Sequence, residues 1–392
     1  MAWPTKKLEE IADIYPGGKS GVTKSDYVES GFPAYSAAGQ DGFIKEAYDS
    51  GYAIILSSIG SRCGKCFYAE GKWTALANTQ VIKVKNPVIA KFLFYYLNDE
   101  KKWPKSGTGQ PFISPSTVKN FLVPFPPLPI QRKIVKILDT IQSAVEIQEK
   151  IIEKTKELKK SLMADLFKYG GPSFRKGRKL KKTEIGKIPE DWEVVEIRKV
   201  FNHKVPSIMP RNFPDEQFEY YSIPNFHQLG KPTLVYGRDI GSSKLLVHPG
   251  TILFGKLNPR LPKIWLVKNY FDGFRKVATT EFLPLVSAGR IDAVFSFYLL
   301  SSNYVLPKTF EMVSGSTTSR QRINPDSFYS ILIPLPPLPE QREIAEILQT
   351  IDQKIEIEKK KKELYEELFK TMLNKIMNQE IDVEKIKLED LG

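Results

Sequence analysis

Cysteine and histidine are nearly missing from this 392-residue chain, which holds two of the first and three of the second. So few cysteines exclude a disulfide-stapled scaffold and point to a reducing compartment, the cytoplasm. Cys63 and Cys66 form a lone C-x-x-C with no other Cys or His in that half of the chain, two ligands short of a closed zinc site. His203, His227 and His248 lack the His-x-x-x-His spacing of a helical metal site, so no metal is expected. Long apolar runs are lacking too. Tyr52 to Leu56 and Ala293 to Leu300 stop well short of the roughly 18 residues that cross a membrane. The opening MAWPTKKLEE has no apolar signal core, so neither membrane insertion nor export is expected. There is no Gly-rich phosphate loop, G-x-S-x-G elbow or dinucleotide fingerprint, and no catalytic residue is expected.

What is present is length for two to three domains, and positive charge. Lys and Arg number 58 against 45 Asp and Glu, a formal net charge of +13, which points toward a polyanion, nucleic acid first. The excess is uneven. Residues 1–125 and 190–333 each carry +4, the short stretch 171–189 carries +6, and 334–378 carries −1. The 171–189 stretch, with RKGRKLKK at its centre, reads as a solvated tether or as a sequence-independent phosphate contact.

The chain is also duplicated. PFPPLPIQRKIVKILDTIQSAVEIQEK from Pro124 returns as PLPPLPEQREIAEILQTIDQKIEIEKK from Pro334, an ungapped offset of 210 residues. That period is too long for a solenoid, so each copy is half a molecule. After each proline run, apolar residues recur at alternating spacings of four and three, the pattern of a coiled-coil seam. On the first helix the seam runs through Ile134, Leu138, Ile141, Val145, Ile152 and Leu162; on the second, through Ile344, Leu348, Ile351, Ile355, Tyr365, Phe369 and Met372. Neither stripe can be buried alone, so the two helices are expected to pair, antiparallel if the halves are related by a pseudo-two-fold axis. The fold expected is α+β: two globular domains (1–125 and 190–333) separated by helical regions 126–170 and 334–378, with the 171–189 linker and a 379–392 tail. Duplication also offers two nearly equivalent docking surfaces for two copies of one partner.

Polar loops rich in Arg, Lys, Gln, Asn and Ser stand at corresponding places in the halves. Arg and Lys can read guanine, Gln and Asn adenine, and hydroxyls can approach phosphates. In the first half the candidate DNA-contacting residues are Tyr35, Gln40, Ser58, Ser61, Arg62, Lys65, Thr108 and Gln110. In the second they are Lys256, Asn258, Arg260, Lys263, Ser319, Arg320, Gln321 and Arg322. Ordinary β-turns would account for any one of these residues, and an assembly scaffold with only non-specific DNA affinity for the set.

PPLPIQRKIVKIL and PPLPEQREIAEIL resemble the two helical regions of the specificity subunits of type I restriction-modification systems. IGSRCGK, SGTGQPFISPSTVKNFLVP and KIPEDWEVVEI are similar to that family's recognition-domain elements. The resemblance implies a non-catalytic, DNA-binding subunit in which each target recognition domain reads one half of a bipartite, asymmetric site and the helices set the gap. It further implies two methyltransferase (M) subunits and restriction (R) subunits as partners in a DNA methylation complex. Those partners would hold S-adenosylmethionine and ATP with Mg, leaving no cofactor in this chain.

Overall fold

The structure, a computed structural model, describes residues 3–107, 109–314 and 321–386. It divides into one unit made of residues 1–150 and 359–392 and a second made of 151–358. Among the described residues no helix is long and apolar enough to cross a membrane.

The duplication read from sequence is a duplication of topology. In the first unit a four-stranded antiparallel sheet runs in the order Asp13–Pro16, Thr79–Val84, Tyr52–Ser57, Cys66–Ala69. The second unit repeats that order with Phe201–Asn202, Phe282–Ser287, Ile252–Gly255 and Ile264–Leu266. Each unit adds another sheet with one parallel pair, Phe32–Ser36 beside Lys72–Ala75 and Gln217–Tyr221 beside Arg275–Ala278. This further sheet has four strands in the first unit and five in the second. Runs such as Ile54, Ile55 and Leu56 are apolar on consecutive positions because both strand faces are covered.

Two long helices, Leu128–Tyr169 and Leu338–Met377, follow the proline runs. Pro129 and Pro339 stand in the first turn, where a missing N–H costs nothing. The repeated glutamines close these starts, since Gln131 Nε2 donates to Pro126 O and Gln341 Nε2 to Pro336 O, each at 2.8 Å. The alternating four-three stripe is the face that the helices bury. Ile134, Leu138, Val145, Ile152, Ile344, Leu348 and Ile355 are buried, and Ile141, Leu162, Ile351, Tyr365, Phe369 and Met372 are half-buried.

The helices run antiparallel in each unit. In the first, Lys362 bonds Glu149 at 3.1 Å, and Ile134 and Leu138 share a core with Ile376. In the second, Lys159 Nζ reaches Asp352 at 2.6 and 2.8 Å, and Leu166 and Phe167 share a core with Ile344 and Leu348. Each unit also fastens a short helix to a long one through tyrosine. Tyr95, on Pro87–Leu97, donates to Asp139 at 2.5 Å, and Tyr298, on Ala293–Leu300, to Asp352 at 2.8 Å.

The basic stretch 171–189 is not a bare tether, though Lys176, Lys179, Lys182 and Lys187 remain exposed. It folds into a hairpin of Leu180–Thr183 with Gly186–Pro189, and Arg178 turns inward onto the fully buried carboxylate of Glu340. Glu340 accepts from both Arg178 nitrogens, from Gly171 N and from Trp192 Nε1, the last two at 2.9 Å. Gly170, which ends the first long helix at a φ of +86°, leaves room for this cluster: a Cβ there would lie 2.1 Å from Glu340 Oε1. A carboxylate without water is tolerable only with such a full set of partners, because its desolvation is otherwise uncompensated. Truncating it leaves the buried Arg178 guanidinium with only the half-exposed Asp191, at 2.6 Å, as an acidic partner. We therefore expect Glu340→Ala to destabilise the second unit by roughly 3–5 kcal/mol, and the double change Glu340→Met with Arg178→Met to recover most of that. Urea unfolding followed by tryptophan fluorescence measures both; equal losses in the single and double variants would contradict the buried-charge explanation.

Candidate nucleic-acid interface

The described residues of the four polar loops come together as two pairs, each joined by a β-bridge. In the first unit the loop after Tyr52–Ser57 is stitched to the 106–113 segment. Ile59 pairs with Phe112, Gly60 N donates to Pro111 O at 3.1 Å, and Ile113 N to Ser58 O at 2.9 Å. In the second unit Leu257 pairs with Arg322, Asn258 N donates to Gln321 O at 2.8 Å, and Ile323 N to Lys256 O at 3.0 Å.

The two loops share a frame of backbone bonds and part company at Gly64, whose N–H donates to Ser57 O where the second loop has Pro262 and no N–H to give. Ser57 N donates to Lys65 O as Gly255 N does to Lys263 O; Cys63 N donates to Gly60 O as Leu261 N does to Asn258 O. A shift of 198 residues therefore maps SSIGSRCGK onto GKLNPRLPK and sets Arg62 against Arg260. Gly60 at φ +99° and Asn258 at φ +48° hold the same left-handed position, which glycine and asparagine adopt at least cost.

Not every candidate residue faces outward. Ser61, Arg62, Gln110, Gln40, Arg260 and Arg322 are exposed, and Lys65, Lys256, Asn258 and Gln321 are half-buried. Ser58 is buried, its carbonyl taken by Ile113 N. Tyr35 is half-buried, with its hydroxyl donating to Tyr68 O at 3.1 Å; burial, then the charge of Glu70, raise its pKa above the usual tyrosine value. Lys263 departs most from an exposed phosphate-binding cation. It is buried, and its Nζ donates to Leu257 O, Asn258 O and Leu261 O at 2.9, 3.2 and 2.7 Å. Desolvation pulls its pKa below the usual lysine value. The carbonyls of the turn supply the partners that the ammonium lost with water, so this lysine braces the loop from beneath. Thr108, Ser319 and Arg320 lie outside the described residues.

Two exposed arginines are already aimed. Arg62 Nη1 donates to Ala38 O at 2.6 Å, which leaves the remaining guanidinium donors free to turn outward near the strand carrying Gln40. Arg322 lies against Glu281 at 3.1 and 3.2 Å, an exposed pair of little net worth that a phosphate or base edge can displace. Glu281, Ala38 and Leu261 escaped sequence reasoning. Only Leu261 left a trace there, as an apolar residue between an arginine and a proline in a polar loop.

Two globular units with the same strand order, matching loop pairs and antiparallel long helices define a duplicated recognition architecture. The model of the type I restriction modification DNA specificity domain matches residues 2–157 and 189–367, and the chain belongs to that family. It is 29% identical over 410 residues to the type I restriction enzyme MjaVIII specificity subunit of Methanocaldococcus jannaschii, covering 98% of this chain and 94% of that one. The EcoDI specificity subunit of Escherichia coli is 25% identical, over 87% of this chain and 79% of its own. The fold is also that of the crystal structure of a type I restriction-modification S subunit from M. genitalium, with a TM-score of 0.60 at 17% identity and 95% of each chain covered. The chain is thus a type I specificity subunit of a restriction-modification system.

If Lys263 braces the turn, Lys263→Met removes the ammonium donor from three carbonyls, of which Asn258 O keeps the Leu261 N–H. The expected result is a loss of about 1–3 kcal/mol and faster hydrogen exchange confined to amides 255–263 and their partners at 321–323. Unchanged exchange there would show the loop to be held by its backbone alone.

Proposed function

We propose that each globular unit reads one half of a bipartite, asymmetric DNA target through its stitched loop pair, and that the long helices fix the gap between the half-sites. The observation that carries this reading is the backbone frame shared by the two loops that present Arg62 and Arg260, each closed at its base and stitched to a second loop by the same bonds. A duplicated scaffold with non-identical tips suits a target whose halves differ. Direct readout needs side chains rigidly placed at base edges, and guanidinium groups are the commonest readers of guanine.

The helices serve the partners as well. Large apolar side chains stay exposed at Ile147 and Leu158 on the first helix and, at the 210-residue offset, at Ile357 and Leu368 on the second. Repeated exposed apolar positions suit two copies of one partner, which we take to be methyltransferase subunits, with restriction subunits joining through them. Methylation and cleavage, with S-adenosylmethionine and ATP with Mg, belong in this reading to those subunits, acting in the cytoplasm.

Domain exchange tests the reading. Replacing Glu190 to Ile333 by the corresponding segment of another specificity subunit is expected to change one half of the methylated sequence and leave the other intact. A change in both halves would refute modular readout, and binding without sequence selection would favour an assembly scaffold. At the level of one residue, Arg62→Ala is expected to relax base preference at one position of the first half-site by roughly 1–3 kcal/mol. A uniform loss over all sequences, with a shallower salt dependence, would assign Arg62 to phosphate instead.

A further inference from the structure

The matched loops differ most at one position. Cys63 in the first unit and Leu261 in the second occupy the same place in the turn, each donating its N–H to the residue three back. Cys63 is 1% exposed, its thiol turned onto Ser58 O and into the core. Leu261 is 58% exposed. A lone surface leucine is ordinary, but this one is presented by a scaffold. Its carbonyl is gripped by the buried Lys263, its N–H is bonded to Asn258 O at 3.1 Å, and Pro259 and Pro262 stiffen the turn on either side. Arg260 precedes it at the exposed tip, and the loop is bridged to the strand that carries Arg322.

An apolar probe held rigidly next to the exposed Arg260, with Arg322 on the adjoining strand paired to Glu281, is matched to a surface with a small apolar feature flanked by negative charge. In duplex DNA that feature is the C5 methyl of thymine, standing on the major-groove edge between two phosphate backbones. We propose that Leu261 contacts a thymine methyl in the half-site read by the second unit, and that the first unit makes no equivalent contact because its counterpart, Cys63, is folded into the core. This rests on the proposed function and adds a base class to it: one half-site contains a thymine that is read through its methyl group.

The test uses the full chain assembled with its methyltransferase subunits. Binding is measured on target duplexes in which each thymine of the second half-site is replaced, one at a time, by deoxyuridine, which lacks only the methyl. Losing the burial of one methyl is expected to weaken binding about fourfold at a single position. Leu261→Ala, at an exposed side chain on which no core depends, is expected to lose a similar factor on unmodified DNA and to be indifferent to deoxyuridine at that same position. Replacements in the first half-site are expected to have no such effect. Wild-type affinity in Leu261→Ala overturns the proposal, as do losses from the variant and from deoxyuridine that simply add. A loss in the variant that is the same for every duplex and is accompanied by unstacking of a 2-aminopurine reporter makes Leu261 a wedge and overturns methyl reading. Failure of the wild-type complex to discriminate between any sequences would instead remove the DNA-reading function on which the proposal stands.

Discussion

Neither long helix can bury its apolar stripe by itself, and that constraint governs the molecule. A seam of isoleucine and leucine spaced four and three apart presents one continuous apolar edge, and its natural cover is another such edge. Because the two helices come from copies of one sequence, each can supply what the other lacks, provided they run in opposite directions. The ion pairs agree with that direction, with Glu149 against Lys362 in one unit and Lys159 against Asp352 in the other. Antiparallel pairing then gathers the start of one helix with the end of the other in each unit. Hence the first unit takes in residues 359–392, and the second takes in 151–169.

The globular parts are fastened to this seam by polar contacts that the two copies solve differently. In the first unit Asp139 holds Tyr95 and Lys91, at 2.5 and 2.7 Å; in the second Asp352 holds Tyr298 and Lys159. The buried Glu340 has no counterpart, since the first copy carries Ile130 at the equivalent place. Its partners stand between the first long helix and the sheets of the second unit: Gly171, Arg178 and Trp192. A carboxylate that gathers the incoming chain at the foot of a helix costs desolvation and fixes a geometry that an apolar side chain would leave loose. The basic stretch 171–189 owes its ordered path to that anchor.

Periodicity made the helices legible, and repetition made the duplication so. Both are properties of many residues at once, and neither depends on where any one side chain points. The candidate interface was legible only as a set of loops. Lys65 and Lys263 are the same letter in the same register of loops of equal length, yet one is half-buried and the other buried under three carbonyls, a difference set by the turn of the loop above it. Arg178 and Arg62 are alike as residues, and only the position of Glu340 or of Ala38 O decides which becomes structural and which stays exposed. Such outcomes depend on contacts between residues far apart in the chain, and a local pattern does not record them.

Duplication followed by divergence at the tips separates the two demands on a recognition protein. The backbone bonds that stitch each loop pair run between main-chain groups, so side chains above them can change without disturbing the frame. Gly60 and Asn258 show the limit of that freedom, because a left-handed backbone admits few residue types. Cys63 and Leu261 show its extent, since the same position serves as core in one unit and as exposed tip in the other. Lys65 and Lys263 lie between these cases. In the second loop, where prolines flank the arginine, the lysine is an internal donor to the turn carbonyls Leu257 O, Asn258 O and Leu261 O. The chemistry offered to a ligand is in this way altered by single substitutions at the tip, while the cost of altering it is confined to the brace directly below.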